Sequence, residues 1–135
     1  RDSLFQAEAR RCKNILDSIN QYSNKKHFCI FDELYSGTNP YEAISSAFSY
    51  LNYISKNKNV RFLLTTHYIR LCKLFDKKQI SNKSMKTLLN KQNDPIYTYK
   101  IKKGISNIKG GVSVLKNLNY PQKIINMTNN VLDKI

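Results

Sequence analysis

Two adjacent carboxylates, Asp32 and Glu33, follow directly on the apolar-leaning run His27-Phe28-Cys29-Ile30-Phe31. Such a run reads as a buried strand that delivers both acids to the edge of a sheet, and open α/β sheets bind ligands beyond the carboxyl ends of their strands. A hard cation such as Mg²⁺ takes oxygen ligands and keeps several waters, which suits Asp32 at the strand tip. A second carboxylate beside it, Glu33, can orient or deprotonate a water. Nucleotide hydrolases divide the work between two acids in this way. Taken alone, the pair is equally an ordinary acidic strand end. His67 narrows the choice, because it closes a second run, Leu63-Leu64-Thr65-Thr66. If the two strands are neighbours, the imidazole stands beside the acids, where it can hydrogen-bond a phosphate or the attacking water.

Two further positions carry hydroxyls. Ser3 precedes a helical pattern, so it sits at a helix N-terminus, where free N–H groups and the dipole favour an anion. A plain N-cap is the simpler reading of the same residue. In the turn Ser36-Gly37-Thr38-Asn39, Gly37 permits tight geometry and Thr38 is a candidate contact across an interface; a loop ending in a helix cap explains the spacing as well. The four glycines, Gly37, Gly104, Gly110 and Gly111, do not form the Gly-x-x-x-x-Gly-Lys-Ser/Thr loop that cradles phosphates. The expectation is therefore a fragment, beginning in mid-pattern at Arg1, with that loop upstream.

The elements that must position these groups follow from periodicity. Residues 3–22 read as a helix with Phe5, Cys12, Ile15, Leu16 and Ile19 on one face, opened by a capping box of Ser3 and Gln6. Residues 27–32 form the first strand. Asn39 caps a second helix, with Pro40 in its first turn and Glu42 at the same end. Residues 60–66 form a second strand that closes at His67. Strand, helix and strand within 40 residues make a βαβ unit with parallel neighbours. A short helix over 68–75 follows. Residues 79–90 and 95–101 suit a β-ribbon around Asn93-Asp94-Pro95. Residues 104–111 form a loop, and helices over 111–118 and 121–134 complete an α/β chain.

The 135 residues suit one domain or part of a larger one. No apolar run reaches the ~20 residues that span a bilayer, and no secretory leader is visible. Cys12, Cys29 and Cys72 match no zinc or redox spacing and are expected as reduced thiols of an intracellular protein. The net charge of +14 is uneven: residues 1–59 carry 8 Lys/Arg against 6 Asp/Glu, and residues 60–135 carry 15 against 3. Such asymmetry fits a nucleic-acid contact surface or acidic partners. The 18 lysines, with abundant Asn and Ile, also fit an AT-rich coding sequence.

Ser3-Leu4-Phe5-Gln6-Ala7-Glu8, with Asn14-Ile15-Leu16, resembles the signature helix of the MutS family of DNA mismatch-repair proteins. The stretch from Asp32 to Ala43 is similar to that family's Walker B and following loop, and Leu64-Thr65-Thr66-His67-Tyr68 to its switch histidine segment. Gly104-Ile105, Gly110-Gly111-Val112 and Asn119-Tyr120-Pro121 resemble its C-terminal stretch. Two departures suggest a divergent branch, viral or organellar. Tyr35-Ser36 stands where the family usually has Gly-Arg, and Ile108-Lys109-Gly110-Gly111 where it has Ser-Tyr-Gly. The C-terminal dimerisation helix-turn-helix reads as truncated.

The resemblance implies a P-loop NTPase core of the ABC type, with parallel strands flanked by helices, a small β-ribbon and C-terminal helices. Residues 1–135 are then the C-terminal part of the ATPase domain. It implies ATP and Mg²⁺ as cofactors, with Asp32 as the metal ligand, Glu33 as the catalytic base and His67 as the γ-phosphate sensor. Ser3 would touch the phosphate held by a second MutS-like subunit, and Thr38 would lie near that interface. Mismatched double-stranded DNA would be bound by domains outside the chain. The alternatives are another ABC-type ATPase, SMC-like or from a transporter, and an inert dimerisation or DNA-docking module.

Overall fold

In the computed structural model, which describes residues 3–75 and 80–135, helix α1 (Leu4–Gln21) begins at a complete capping box. Ser3 Oγ accepts from the Gln6 N–H at 3.2 Å, and Gln6 Oε1 accepts from the Ser3 N–H at 2.8 Å. Strand β1 (His27–Asp32) follows, then α2 (Pro40–Ser55), capped by Asn39 Oδ1 on the Glu42 N–H at 3.0 Å. Strand β2 (Val60–Thr65) pairs with β1 in parallel, in a register running from His27 opposite Val60 to Asp32 opposite Thr65. The short helix α3 (Ile69–Leu74) comes next.

The chain forms two compact units, residues 1–82 and 83–135. The core of the first lies where α1, α2 and α3 cover one face of the two-stranded sheet. Cys12 and Ile19 of α1, Ala47 and Leu51 of α2, Phe31, Val60 and Leu71 are all buried there. Phe31 packs edge-on against Tyr50 and Phe62. Enclosing a side chain such as Leu51 completely contributes ~1.5–3 kcal/mol.

The apolar run of β1 reads as a buried strand, and on one face the structure differs. Alternate residues Phe28 and Ile30, with Leu63 of β2, are 63%, 74% and 60% exposed. The reason is geometric. Successive strand side chains point to opposite faces, and the three helices cover only the face carrying Cys29, Phe31, Phe62 and Leu64. Helices flanking both sides are thus not found among the described residues.

The second unit holds a β-hairpin and two helices. Strand β3 (Lys83–Leu89) pairs antiparallel with β4 (Pro95–Lys103), and the register shifts between Met85 and Thr87. The ribbon begins later than its sequence pattern suggests: residues 80–82 are outside the strand, and residue 79 lies outside the described residues. Asn90 builds the turn, its Oδ1 accepting from the N–H groups of Gln92 and Asp94 at 2.9 and 2.8 Å. Helices α4 (Gly111–Asn117) and α5 (Gln122–Leu132) follow, and Ser113 of α4 donates to Asp94 Oδ1 at 3.2 Å.

Candidate active site

The parallel register brings Asp32 and Thr65 side by side at the carboxyl ends of β1 and β2. Thr65 Oγ1 donates to Asp32 Oδ1 at 2.7 Å, and the Glu33 N–H donates to the Thr65 carbonyl at 2.9 Å. Both acids are therefore tied to the neighbouring strand before the chain turns away. Asp32 is exposed, with one carboxylate oxygen engaged by Thr65, which suits a hard cation that needs few protein ligands and keeps its waters.

Glu33 adopts a left-handed backbone, φ 61°. Its Oε1 lies 3.4 Å from His67 Nε2, the side chains being 41% and 92% exposed. A contact this open to water contributes at most ~1 kcal/mol. Its significance is placement, since a carboxylate and an imidazole meet at a solvent-accessible edge beside an anchored acid. Such a pair can accept, hold and return a proton. Among the described residues the site is an open edge. A depression of about 360 Å³ lies at the opposite strand ends, lined by Lys26, His27, Phe28, Lys58, Asn59 and Arg61, and includes none of these groups.

The loop after the acids is fastened to α1. Tyr35, also left-handed at φ 56°, is buried, its ring 5.6 Å from Phe5 and 6.3 Å from Tyr50. An L-residue in this conformation costs ~1–2 kcal/mol. Burial of the ring offsets that cost. Burial also pushes the phenols of Tyr35 and Tyr50 up, helped for Tyr35 by the nearby Cys12 thiol. The Cys12 thiol is itself raised, chiefly by burial. Glu8 of α1 accepts from the Tyr35 N–H at 2.6 Å and from Ser36 N–H and Oγ at 3.2 and 3.0 Å. Gly37 lies directly against Leu4 and Phe5.

Glu33 and His67 thus meet, and Asp32 ends the strand that leads into Glu33. Ser3 and Thr38 are found in capping arrangements instead: Ser3 Oγ on the Gln6 N–H, and Thr38 Oγ1 donating to Glu42 Oε2 at 2.6 Å in the first turn of α2. The capping box uses the Ser3 hydroxyl and one early N–H of α1, so the anion site there is narrower than a bare helix end. Two residues escape the sequence reading, Thr65 and Glu8. The signal for Glu8 is a charge falling on the apolar stripe of α1, three residues from Phe5 and four from Cys12. Thr65 has no such signal, because its partner depends on strand register.

Comparison with known proteins gives a consistent picture. The family model of MutS domain V matches residues 1–135. The DNA mismatch repair protein MutS of Clostridium botulinum (strain Loch Maree / Type A3) is 32% identical over 136 residues, covering 98% of this chain and 14% of the relative. That of Finegoldia magna is 29% identical over 135 residues, covering 99% of this chain and 15% of the relative. The chain therefore spans only a small part of the length of these curated relatives.

Proposed function

This chain belongs to the MutS family, matching its domain V, and we propose that it is the C-terminal part of an ABC-type ATPase domain. In this reading residues 1–135 contribute the signature helix, the Walker B acids and the switch histidine, and the phosphate-cradling loop lies outside the chain. The reaction is hydrolysis of ATP to ADP and phosphate, coupled to mismatched-DNA binding by other domains of the protein. A second MutS-like subunit completes the composite sites.

The observation that carries the reading is the meeting of Glu33 and His67, 3.4 Å apart, beside the Thr65-anchored Asp32. Asp32 would hold Mg²⁺, which when bound would supply charge neutralisation at the phosphates. Glu33 orients the attacking water and takes its proton. His67 hydrogen-bonds the terminal phosphate or that water, where it can meet the developing charge. Ser3 contributes its helix N-terminus to the phosphate of the other subunit, and Thr38 lies toward the interface between them.

In the full-length protein, Glu33→Gln is expected to bind ATP normally and to lose turnover. Nucleotide binding and phosphate release measured side by side check this, and wild-type turnover in that variant removes Glu33 from its role. A docking module is the second reading, motivated by the 10 Lys and 2 Asp of residues 83–135. Salt-dependent DNA binding by wild-type protein that neither binds nor hydrolyses ATP favours it.

A further inference from the structure

Glu8 has a job that capping, packing and catalysis leave unexplained. Its side chain is buried on the apolar face of α1, and desolvating a carboxylate is costly unless donors meet it. Among the described residues three donors do so, from the loop after the acids: the N–H of Tyr35 on one oxygen, the N–H and hydroxyl of Ser36 on the other. Charge-assisted bonds of this kind are the strong ones.

The loop needs such a hold. Glu33 and Tyr35 are both left-handed without being glycine, with Leu34 between them. Conformations of that kind persist only where the surroundings over-determine them. Leu34 and the Tyr35 ring are buried, and Gly37 abuts the first turn of α1. The backbone at Tyr35 and Ser36, however, is held by Glu8.

From these contacts we infer that Glu8 is a positioning residue for the acidic pair. Its carboxylate clamps the loop 34–37 onto α1 and so fixes the direction in which Glu33 projects toward His67. The same clamp joins the helix that starts at Ser3 to the strand end that carries Glu33, making them one rigid piece. This inference rests on the ATPase reading above for its consequence, but not for its geometry.

The test uses the full-length protein with ATP and Mg²⁺. Glu8→Gln keeps the size of the side chain but turns an amide NH₂ toward groups that are themselves donors. The expected result is an unchanged KM and nucleotide affinity with kcat lowered ~10- to 100-fold, the scale of a small misplacement of reacting groups. Amide hydrogen exchange at Tyr35 and Ser36 should speed up in the nucleotide-free protein. Ser36→Ala, an exposed site, should give a smaller kcat loss, and adding it to Glu8→Gln should cost nothing more. Wild-type kcat with unchanged exchange in Glu8→Gln overturns the inference, as does a loss of affinity and stability with no selective loss of kcat. If Glu8→Gln does not fold, Ser36→Ala decides, and an unchanged kcat there overturns it. A wild-type protein without ATP hydrolysis, or a Glu33→Gln variant that turns over, instead sinks the ATPase reading. The exchange measurement still judges the clamp.

Discussion

A methyl group at position 37 would lie 2.7 Å from the Phe5 backbone nitrogen and 2.8 Å from Leu4 Cγ. Side chains can rotate away from such an encounter, but the first turn of a capped helix cannot. Gly37 is therefore required by space. Tyr35 is the converse case, a bulky residue where the backbone conformation favours glycine, retained because its ring fills the core between Phe5 and Tyr50. Gly37→Ala is expected to destabilise the protein by ~1–3 kcal/mol, the usual cost of overpacking. It should also lift the loop from α1. Urea unfolding measures the first effect, and faster amide exchange at Tyr35 the second. A variant as stable as wild type would mean that the loop yields more easily than the close packing on Phe5 implies.

At the scale of elements, α1 has one residue with two assignments. Ser3 caps the helix, and in the proposed dimer it also serves the other subunit's phosphate. Capping and phosphate contact respond differently to substitution. Ser3→Ala removes the cap and should cost ~1 kcal/mol of stability. Ser3→Asp keeps a good cap and suits the helix dipole, yet sets a negative charge against the phosphate. Its melting temperature should match wild type while hydrolysis falls, and in mixed dimers the defect should appear at the site of the unmodified subunit. A defect confined to the subunit carrying the substitution contradicts the assignment. The elements themselves were largely readable, because their limits are written locally: Ser3 and Gln6 at one helix start, Asn39-Pro40 at another, and the stripe of Phe5, Cys12, Ile15, Leu16 and Ile19 at a period of 3.6. The parallel pairing of β1 and β2 followed from the short βαβ spacing. What stayed hidden depends on partners far along the chain. The open face at Phe28, Ile30 and Leu63 reflects which helices cover the sheet. The Thr65–Asp32 bond reflects strand register, and the Glu8 clamp reflects a loop 27 residues away. The left-handed turn at Glu33 and Tyr35 had no glycine to announce it.

At the scale of the whole molecule, the first unit places thiols and phenols together in its core. Cys12 accepts a hydrogen bond at its carbonyl from the Tyr50 hydroxyl, 3.0 Å away, and the Tyr35 ring lies alongside. Burial raises all three groups, and Cys29 and Cys72 as well. In the unfolded chain these groups lose their protons first, near their ordinary values of 9.0 for a thiol and 10.0 for a phenol. Above those values the unfolded state binds fewer protons than the folded one, so stability must fall as pH rises. Below pH 9 the contribution is present in full. A second effect runs the other way. Loss of positive charge at alkaline pH relieves self-repulsion in a chain of net charge +14. A bare pH profile therefore mixes two slopes of opposite sign. Tyr50→Phe separates them, because it leaves every lysine in place. At pH 7 the variant should be less stable by ~0.5–1.5 kcal/mol, the worth of the lost hydrogen bond. Above pH 10 wild type alone carries the penalty of keeping the Tyr50 phenol protonated, so the gap should narrow and then reverse. Urea unfolding of both proteins from pH 7 to 11 reads this directly. A gap that stays constant across that range would mean that the Tyr50 hydroxyl ionises as freely in the fold as in the open chain, and that the core around Cys12 admits water.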